Sequence, residues 1–72
     1  MPYVNIRITK EGATAEQKAE LIKGVTDLLV QVLGKNPNTT VVVIDEVDTD
    51  NWGIGGVTIT KRRREEKKTV LV

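Results

Sequence analysis

The stretch VNIRITKEGATAEQ, residues 4–17, sets the start of the fold because two patterns meet in it. Apolar and polar residues alternate with a period of two over residues 4–9, which predicts a β-strand with one apolar face. The alternation then stops, and Thr14 with Gln17 forms a capping-box pattern, in which each side chain bonds the other residue's backbone amide. The sequence therefore predicts a strand followed by a helix that begins near Thr14.

The predicted helix carries one wide apolar stripe. Its apolar residues recur at spacings of three and four, and they are Leu21, Ile22, Val25, Leu28, Leu29, Val32 and Leu33. Gly34 suits the left-handed conformation that ends many helices, and Pro37 prevents continuation. The β-branched run at residues 39–44 predicts a second strand that is covered on both faces. Strand, helix and strand form a βαβ unit with parallel strands, because the connection is long enough for a right-handed crossover.

The rest of the chain predicts a hairpin and a charged end. Residues 53–56 form a glycine-rich turn and residues 57–60 a short strand, so we expect a C-terminal β-hairpin. We expect residues 61–72 to be a solvated, charged C-terminal tail that does not bind nucleic acid, because Glu65 and Glu66 interrupt its basic residues. The predicted fold class is α/β (α+β), in a single domain over residues 1–72.

Composition excludes several kinds of site. The 72 residues include no cysteine and no histidine, which removes disulfides, thiolate nucleophiles, the usual zinc sites and histidine acids or bases. The net charge of +1 creates no overall attraction to nucleic acid or membranes. No apolar run reaches the roughly 20 residues that span a bilayer, and no secretory signal is present. We expect a soluble, cytoplasmic protein that uses no metal and no cofactor.

A single βαβ unit of this size leaves much apolar surface uncovered. A chain of 72 residues lies below the size at which one core is usually sufficient. A two-stranded sheet under one helix also has open edges and one uncovered face. We therefore expect an obligate oligomer, in which the sheets of two chains join and such pairs assemble further.

Pro2 directly follows the initiator methionine. If Met1 is removed, the nitrogen of Pro2 becomes a secondary amine, and burial or neighbouring cations favour the neutral form of an amine. A neutral amine can act as a general base at physiological pH, a task that many enzymes give to histidine. Proline is also tolerated as the first residue of a strand, so the Met-Pro pair alone leaves both roles open.

Several segments together resemble the 4-oxalocrotonate tautomerase family. In order over about residues 2 to 60, they are Pro2, residues 11–12, 14–18, 21–22 and 44–46, and the WGIGG run at 52–56. The resemblance implies a βαβ fold with a C-terminal hairpin, commonly assembled as a homohexamer from three dimers. It also implies that the N-terminal proline, here Pro2, moves a proton between carbons of an enol and its keto isomer.

The resemblance assigns roles to particular residues. Pro2 matches the catalytic base, and Trp52 matches an aromatic residue that walls the active site and keeps water from the amine. The two arginines with which family members hold dicarboxylates fall here on Ala13 and Val41, which form no ion pairs. We therefore expect a small-molecule substrate, a 2-hydroxy-2-enoate or an α-keto acid, that carries less charge than 2-hydroxymuconate.

Other cations are needed to replace the missing arginines. The nearest candidates in sequence are Arg7, Lys10 and Lys35, and we assign substrate binding to Arg7 and Lys10 beside Trp52. Arginines 62–64 are a further source if the tail of one subunit reaches a neighbour's site. Alternatively, the chain is one half of a heterohexameric tautomerase or dehalogenase whose partner supplies the arginines.

A non-catalytic role is the remaining alternative. If Met1 is retained, the nitrogen of Pro2 lies in a tertiary amide, which has no basic lone pair and takes no proton. The chain would then be an oligomeric assembly protein that keeps the tautomerase framework for its interfaces.

Overall fold

The computed structural model describes the backbone of residues 1–70 and the side chains of residues 1–66. Its regular elements, in chain order, are β1 (Tyr3–Thr9), α1 (Ala15–Leu33), β2 (Val41–Val47), β3 (Gly53–Ile54), β4 (Val57–Thr58) and α2 (Ile59–Val70). Short 3-10 helices at Pro37–Thr39 and Thr49–Asn51 precede β2 and β3.

The two long strands pair in parallel, as the βαβ pattern predicts. The register places Tyr3 beside Val41 and Thr9 beside Val47, so the strands are aligned from end to end. Exposure alternates along β1, with Tyr3 and Arg7 on the open face of the sheet. α1 crosses the other face, where Lys18 forms an ion pair with Glu46 of β2. The predicted fold class is confirmed.

Both ends of α1 follow the local sequence signals. The amide of Gln17 donates to the Thr14 hydroxyl at 3.1 Å, and the amide of Thr14 donates to the Gln17 side chain at 2.9 Å, which completes the capping box. At the other end, Gly34 has a φ of 65°, and its amide donates to the Val30 carbonyl at 2.9 Å. A residue with a Cβ adopts this left-handed conformation only at a cost, so glycine ends the helix.

The second strand starts and ends later than the sequence predicted. Residues 39 and 40 belong to a turn, because the Asn36 side chain accepts a bond from the Asn38 amide at 2.9 Å and the Thr40 amide donates to the Pro37 carbonyl. The strand continues to Val47 because each of its residues has a partner on β1. Pairing between distant residues, rather than local composition, sets its bounds.

The hairpin of β3 and β4 is confirmed, but the strand predicted at residues 57–60 is wrong at its end. α2 begins at Ile59, whose side chain is 6% exposed and whose amide donates to the Trp52 carbonyl at 2.8 Å. The segment expected to be a solvated tail is therefore helical from its first residue, Lys61, to Val70. The last two residues of that predicted tail, 71 and 72, lie outside the described residues.

The chain by itself encloses little core. Among the side chains that the structure describes, only that of Ile59 is buried, while α1 exposes Leu21, Leu28 and Leu33. The radius of gyration is 16.5 Å, against about 11 Å for a compact domain of this length. Within residues 1–70, neither helix has the length and apolar character needed to cross a membrane.

Candidate active site

A cavity of about 550 Å³ lies at the carboxyl end of the parallel sheet. Its lining includes Arg7 of β1, Asp45 and Glu46 of β2, and Trp52 from the loop that follows β2. The structure thus brings together two residues that were predicted to bind substrate, Arg7 and Trp52. Ligands of α/β proteins commonly bind beyond the carboxyl ends of parallel strands.

Charges in this cavity are largely paired. The Arg7 guanidinium lies 3.6 Å from a carboxylate oxygen of Asp45, and the same oxygen accepts a bond from the Asn5 amide group at 2.8 Å. Glu46 is paired with Lys18. Arg7 remains 64% exposed and approaches Asp45 only to 3.6 Å, so this ion pair engages little of the hydrogen-bonding capacity of its guanidinium.

Pro2 lies at the opposite end of β1. Its carbonyl accepts a bond from the Val41 amide at 3.0 Å, which fixes the residue at the start of the parallel pair. Five steps along the extended strand separate Pro2 from Arg7, a distance of roughly 16 Å. Within one chain, therefore, Pro2 does not meet the cavity that Arg7 and Trp52 line.

Lys10 also lies outside this cavity. Its backbone amide donates to the Val47 carbonyl at 2.7 Å and extends the sheet pairing by one bond, while its side chain is exposed. Ala13 lines a separate, mainly apolar hollow along α1, with Leu21 and Leu28. Val41 sits beside Tyr3 at the Pro2 end of the sheet.

Among arginines 62–64, Arg63 contacts a residue outside α2. A guanidinium nitrogen of Arg63 lies 3.2 Å from both carboxylate oxygens of Glu11 in the loop between β1 and α1. Arg62 instead pairs with Glu66 along α2 at 3.6 Å.

The sequence analysis did not identify Asn5 and Asp45 as site residues. Asp45 forms the ion pair with Arg7 and accepts a hydrogen bond from Asn5. The available signal was the polar alternation of β1, which puts Asn5 and Arg7 on one face. Their acceptor is 40 residues away from Asn5 in sequence, and only the register of β1 against β2 brings it alongside.

Comparisons with known proteins bear on these residues. The family model described as "Tautomerase enzyme" matches residues 2–62. A probable tautomerase of Dickeya dadantii is 72% identical over 65 residues, which cover 90% of this chain and 97% of the relative. The 2-hydroxymuconate tautomerase of Bacillus subtilis is 36% identical over 56 residues, which cover 78% of this chain and 89% of the relative.

A solved structure agrees with the fold. The crystal structure of DmpI from Helicobacter pylori has a TM-score of 0.82 and 49% sequence identity, over 88% of this chain and 97% of that one. The matched family span begins at Pro2 and includes Arg7, Trp52 and the start of α2.

Proposed function

The chain belongs to the tautomerase family of enzymes, and on this premise we propose that it interconverts a 2-hydroxy-2-enoate and its α-keto isomer with Pro2 as the general base. The proposal requires removal of Met1, which leaves a secondary amine at Pro2. The neutral amine takes a proton from the enol hydroxyl or from an acidic C–H group and returns one to a different carbon. Substrate and product are isomers, so the step consumes no cofactor.

The observation that carries the proposal is the place of Pro2 at the first position of the matched family span. The carbonyl of Pro2 is held by the Val41 amide, whereas its nitrogen precedes β1 and takes no part in the sheet. Met1 is 93% exposed, so its removal disturbs little packing. Once Met1 is removed, the carbonyl of Pro2 still anchors the residue to β2, and its nitrogen becomes a free secondary amine that can exchange a proton.

We propose that the complete site forms between subunits of a homohexamer built from three dimers. The separation of roughly 16 Å between Pro2 and Arg7 along β1 supports this assembly, as do the exposed apolar residues of α1. In it, Pro2 of one subunit faces the cavity lined by Arg7 and Trp52 of another. A heterohexamer with a second small chain is the alternative assembly, and activity of a homogeneous preparation of this chain would exclude it.

The proposed substrate carries one carboxylate. Ala13 and Val41 stand where family members use arginines, and each missing guanidinium contact removes a charge-assisted hydrogen bond to a dicarboxylate. Arg7 remains in the cavity to bind a single carboxylate, while Trp52 covers the apolar part of the substrate. Lys10, whose exposed side chain lies outside this cavity, is a second candidate by charge and would reach the carboxylate only in the assembled protein. We therefore expect phenylenolpyruvate, which has one carboxylate, to be used better than 2-hydroxymuconate, which has two.

The test compares ketonisation of these two compounds by the wild-type chain and by Pro2→Ala. General-base catalysis contributes ~10²–10⁴-fold, so we expect the variant to lose at least about a hundredfold in kcat. Alanine is also small enough to permit removal of Met1, so processing is the same in both proteins. Equal rates would show that Pro2 is not the base.

A matched control uses the other proline of the chain. Pro37 begins the 3-10 helix that precedes β2, and its nitrogen lies in a peptide bond whether or not Met1 is removed, so Pro37→Ala makes the same chemical change without touching a free amine. We expect Pro37→Ala to keep wild-type activity. Sedimentation of all three proteins separates a loss of chemistry from a loss of assembly.

A further inference from the structure

The first turn of α2 holds the loop that carries Trp52. The Thr60 hydroxyl donates to a carboxylate oxygen of Asp50 at 2.5 Å, and it lies 2.6 Å from the Thr49 hydroxyl. A hydroxyl has one proton and a carboxylate only accepts, so Thr49 is the donor in the second bond. The resulting chain of hydrogen bonds runs from Thr49 through Thr60 to Asp50 and ties the first two residues of the Thr49–Asn51 turn to α2.

A second contact lies beside this chain. The amide of Ile59 donates to the carbonyl of Trp52 at 2.8 Å, and the Ile59 side chain is the one buried side chain among those described. Inside the loop, the Asn51 amide donates to the Asp48 carbonyl at 2.8 Å. The backbone immediately before and at Trp52 is therefore fixed by neighbouring residues of α2.

α2 itself is held at a second point. Arg63, one turn beyond Ile59, reaches Glu11 in the loop between β1 and α1 at 3.2 Å. At the start of the helix, the Thr58 hydroxyl accepts a bond from the Lys61 amide at 3.2 Å. α2 therefore contacts the Trp52 loop through Ile59 and Thr60 and the Glu11 loop through Arg63, and the Thr60 bonds connect the helix to the turn that precedes Trp52.

We infer that Thr60 is a positioning residue for the tautomerase reaction, because it holds Trp52 against the Arg7 cavity. Its effect on catalysis rests on the proposed function, whereas its effect on the loop does not. Thr60 touches neither Arg7 nor the proposed base. Its hydroxyl acts through the Thr49–Asn51 turn, which it bonds at two of its three residues.

Trp52 supplies a direct readout because it is the only tryptophan in the chain. In Thr60→Val the side chain keeps its shape but loses both hydrogen bonds, so we expect Trp52 fluorescence to shift to longer wavelength and acrylamide quenching to increase. We expect kcat/KM for phenylenolpyruvate to fall about tenfold, mainly through KM, because a displaced Trp52 no longer covers the apolar part of the substrate. Thr60→Ser keeps the hydroxyl and restores both measurements.

Thr26→Val is the matched control. Thr26 lies on α1, and its hydroxyl bonds only the Ile22 carbonyl of its own helix, so the same substitution there leaves fluorescence and KM unchanged. If Thr60→Val dissociates in sedimentation, Asp50→Ala replaces it, since this change removes the carboxylate acceptor and leaves α2 intact. We expect Asp50→Ala to give the same increase in quenching.

Wild-type quenching and KM in Thr60→Val would overturn the inference, and so would increased quenching with an unchanged KM. A different result bears on the proposed function. If Pro2→Ala keeps the wild-type rate while Thr60→Val loses both Trp52 protection and activity, the base assignment fails and the positioning role of Thr60 stands.

Discussion

Arg7 combines an ion pair with free hydrogen-bonding capacity. Its guanidinium is 3.6 Å from Asp45, a carboxylate that already accepts from Asn5, and 64% of its side chain is exposed. An exposed pair at this distance contributes little stability. This weak ion pair supports the proposed role of Arg7, because a substrate carboxylate that binds the guanidinium displaces no strong interaction with Asp45.

At the residue scale we predict that Arg7→Met raises KM for phenylenolpyruvate about tenfold with a smaller effect on kcat, because it removes a charge-assisted hydrogen bond. Steady-state kinetics on the assembled protein measures this. Lys10→Met removes the positive charge of the residue that directly follows β1. The ratio of the KM values of the two variants shows which side chain binds the carboxylate. A wild-type KM in Arg7→Met would remove Arg7 from the site.

The sequence identified Pro2, Arg7 and Trp52 as candidates, but it gave no means to group them. Polar alternation on β1 puts Arg7 on an exposed face, and this is a local property. The proximity of Arg7 to Trp52 depends on the end-to-end register of β1 against β2, whereas the distance between Arg7 and Pro2 follows from their positions along one strand. That register is a contact between residues about 40 positions apart, which no local pattern contains.

At the scale of elements, α1 and α2 form for different reasons. α1 has its cap, its apolar stripe and its glycine end within its own sequence, so its bounds were predictable. α2 has no apolar stripe, and the β-branched residues at 57–60 favour a strand. Its helix depends on the high helix propensity of lysine, arginine and glutamate, on the Arg62–Glu66 pair at 3.6 Å, and on the burial of Ile59 against the Trp52 loop. The last of these is a tertiary contact.

We predict that Thr14→Ala lowers the free energy of unfolding by about 1 kcal/mol, because it removes the acceptor for one of the unpaired amides at the start of α1. Urea denaturation at one fixed protein concentration measures the change, since the stability of an oligomer depends on concentration. Thr14→Ser keeps the capping oxygen and should retain most of the stability. Equal loss in both variants would mean that the capping bond of 3.1 Å contributes nothing.

At the scale of the whole molecule, one chain by itself has little core. Ile59 is the one buried side chain among those of residues 1–66, and the exposed leucines on α1 and the radius of gyration of 16.5 Å leave little to stabilise an isolated monomer. The length of the chain and its two-stranded sheet already predicted that one chain would leave much apolar surface uncovered. The proposed catalytic site also requires an oligomer. Pro2 is separated from the Arg7 cavity within one chain, so a site that contains both residues needs more than one chain.

The proposed active species is an assembly of chains that each begin with the free amine of Pro2. The most direct measurement is mass spectrometry of the active fraction, under native conditions for the number of copies and under denaturing conditions for the mass of each chain. We predict six copies, each with the mass of a chain that starts at Pro2. Chains that retain Met1 in the fraction with full tautomerase activity would contradict the claim, because their Pro2 nitrogen is an amide.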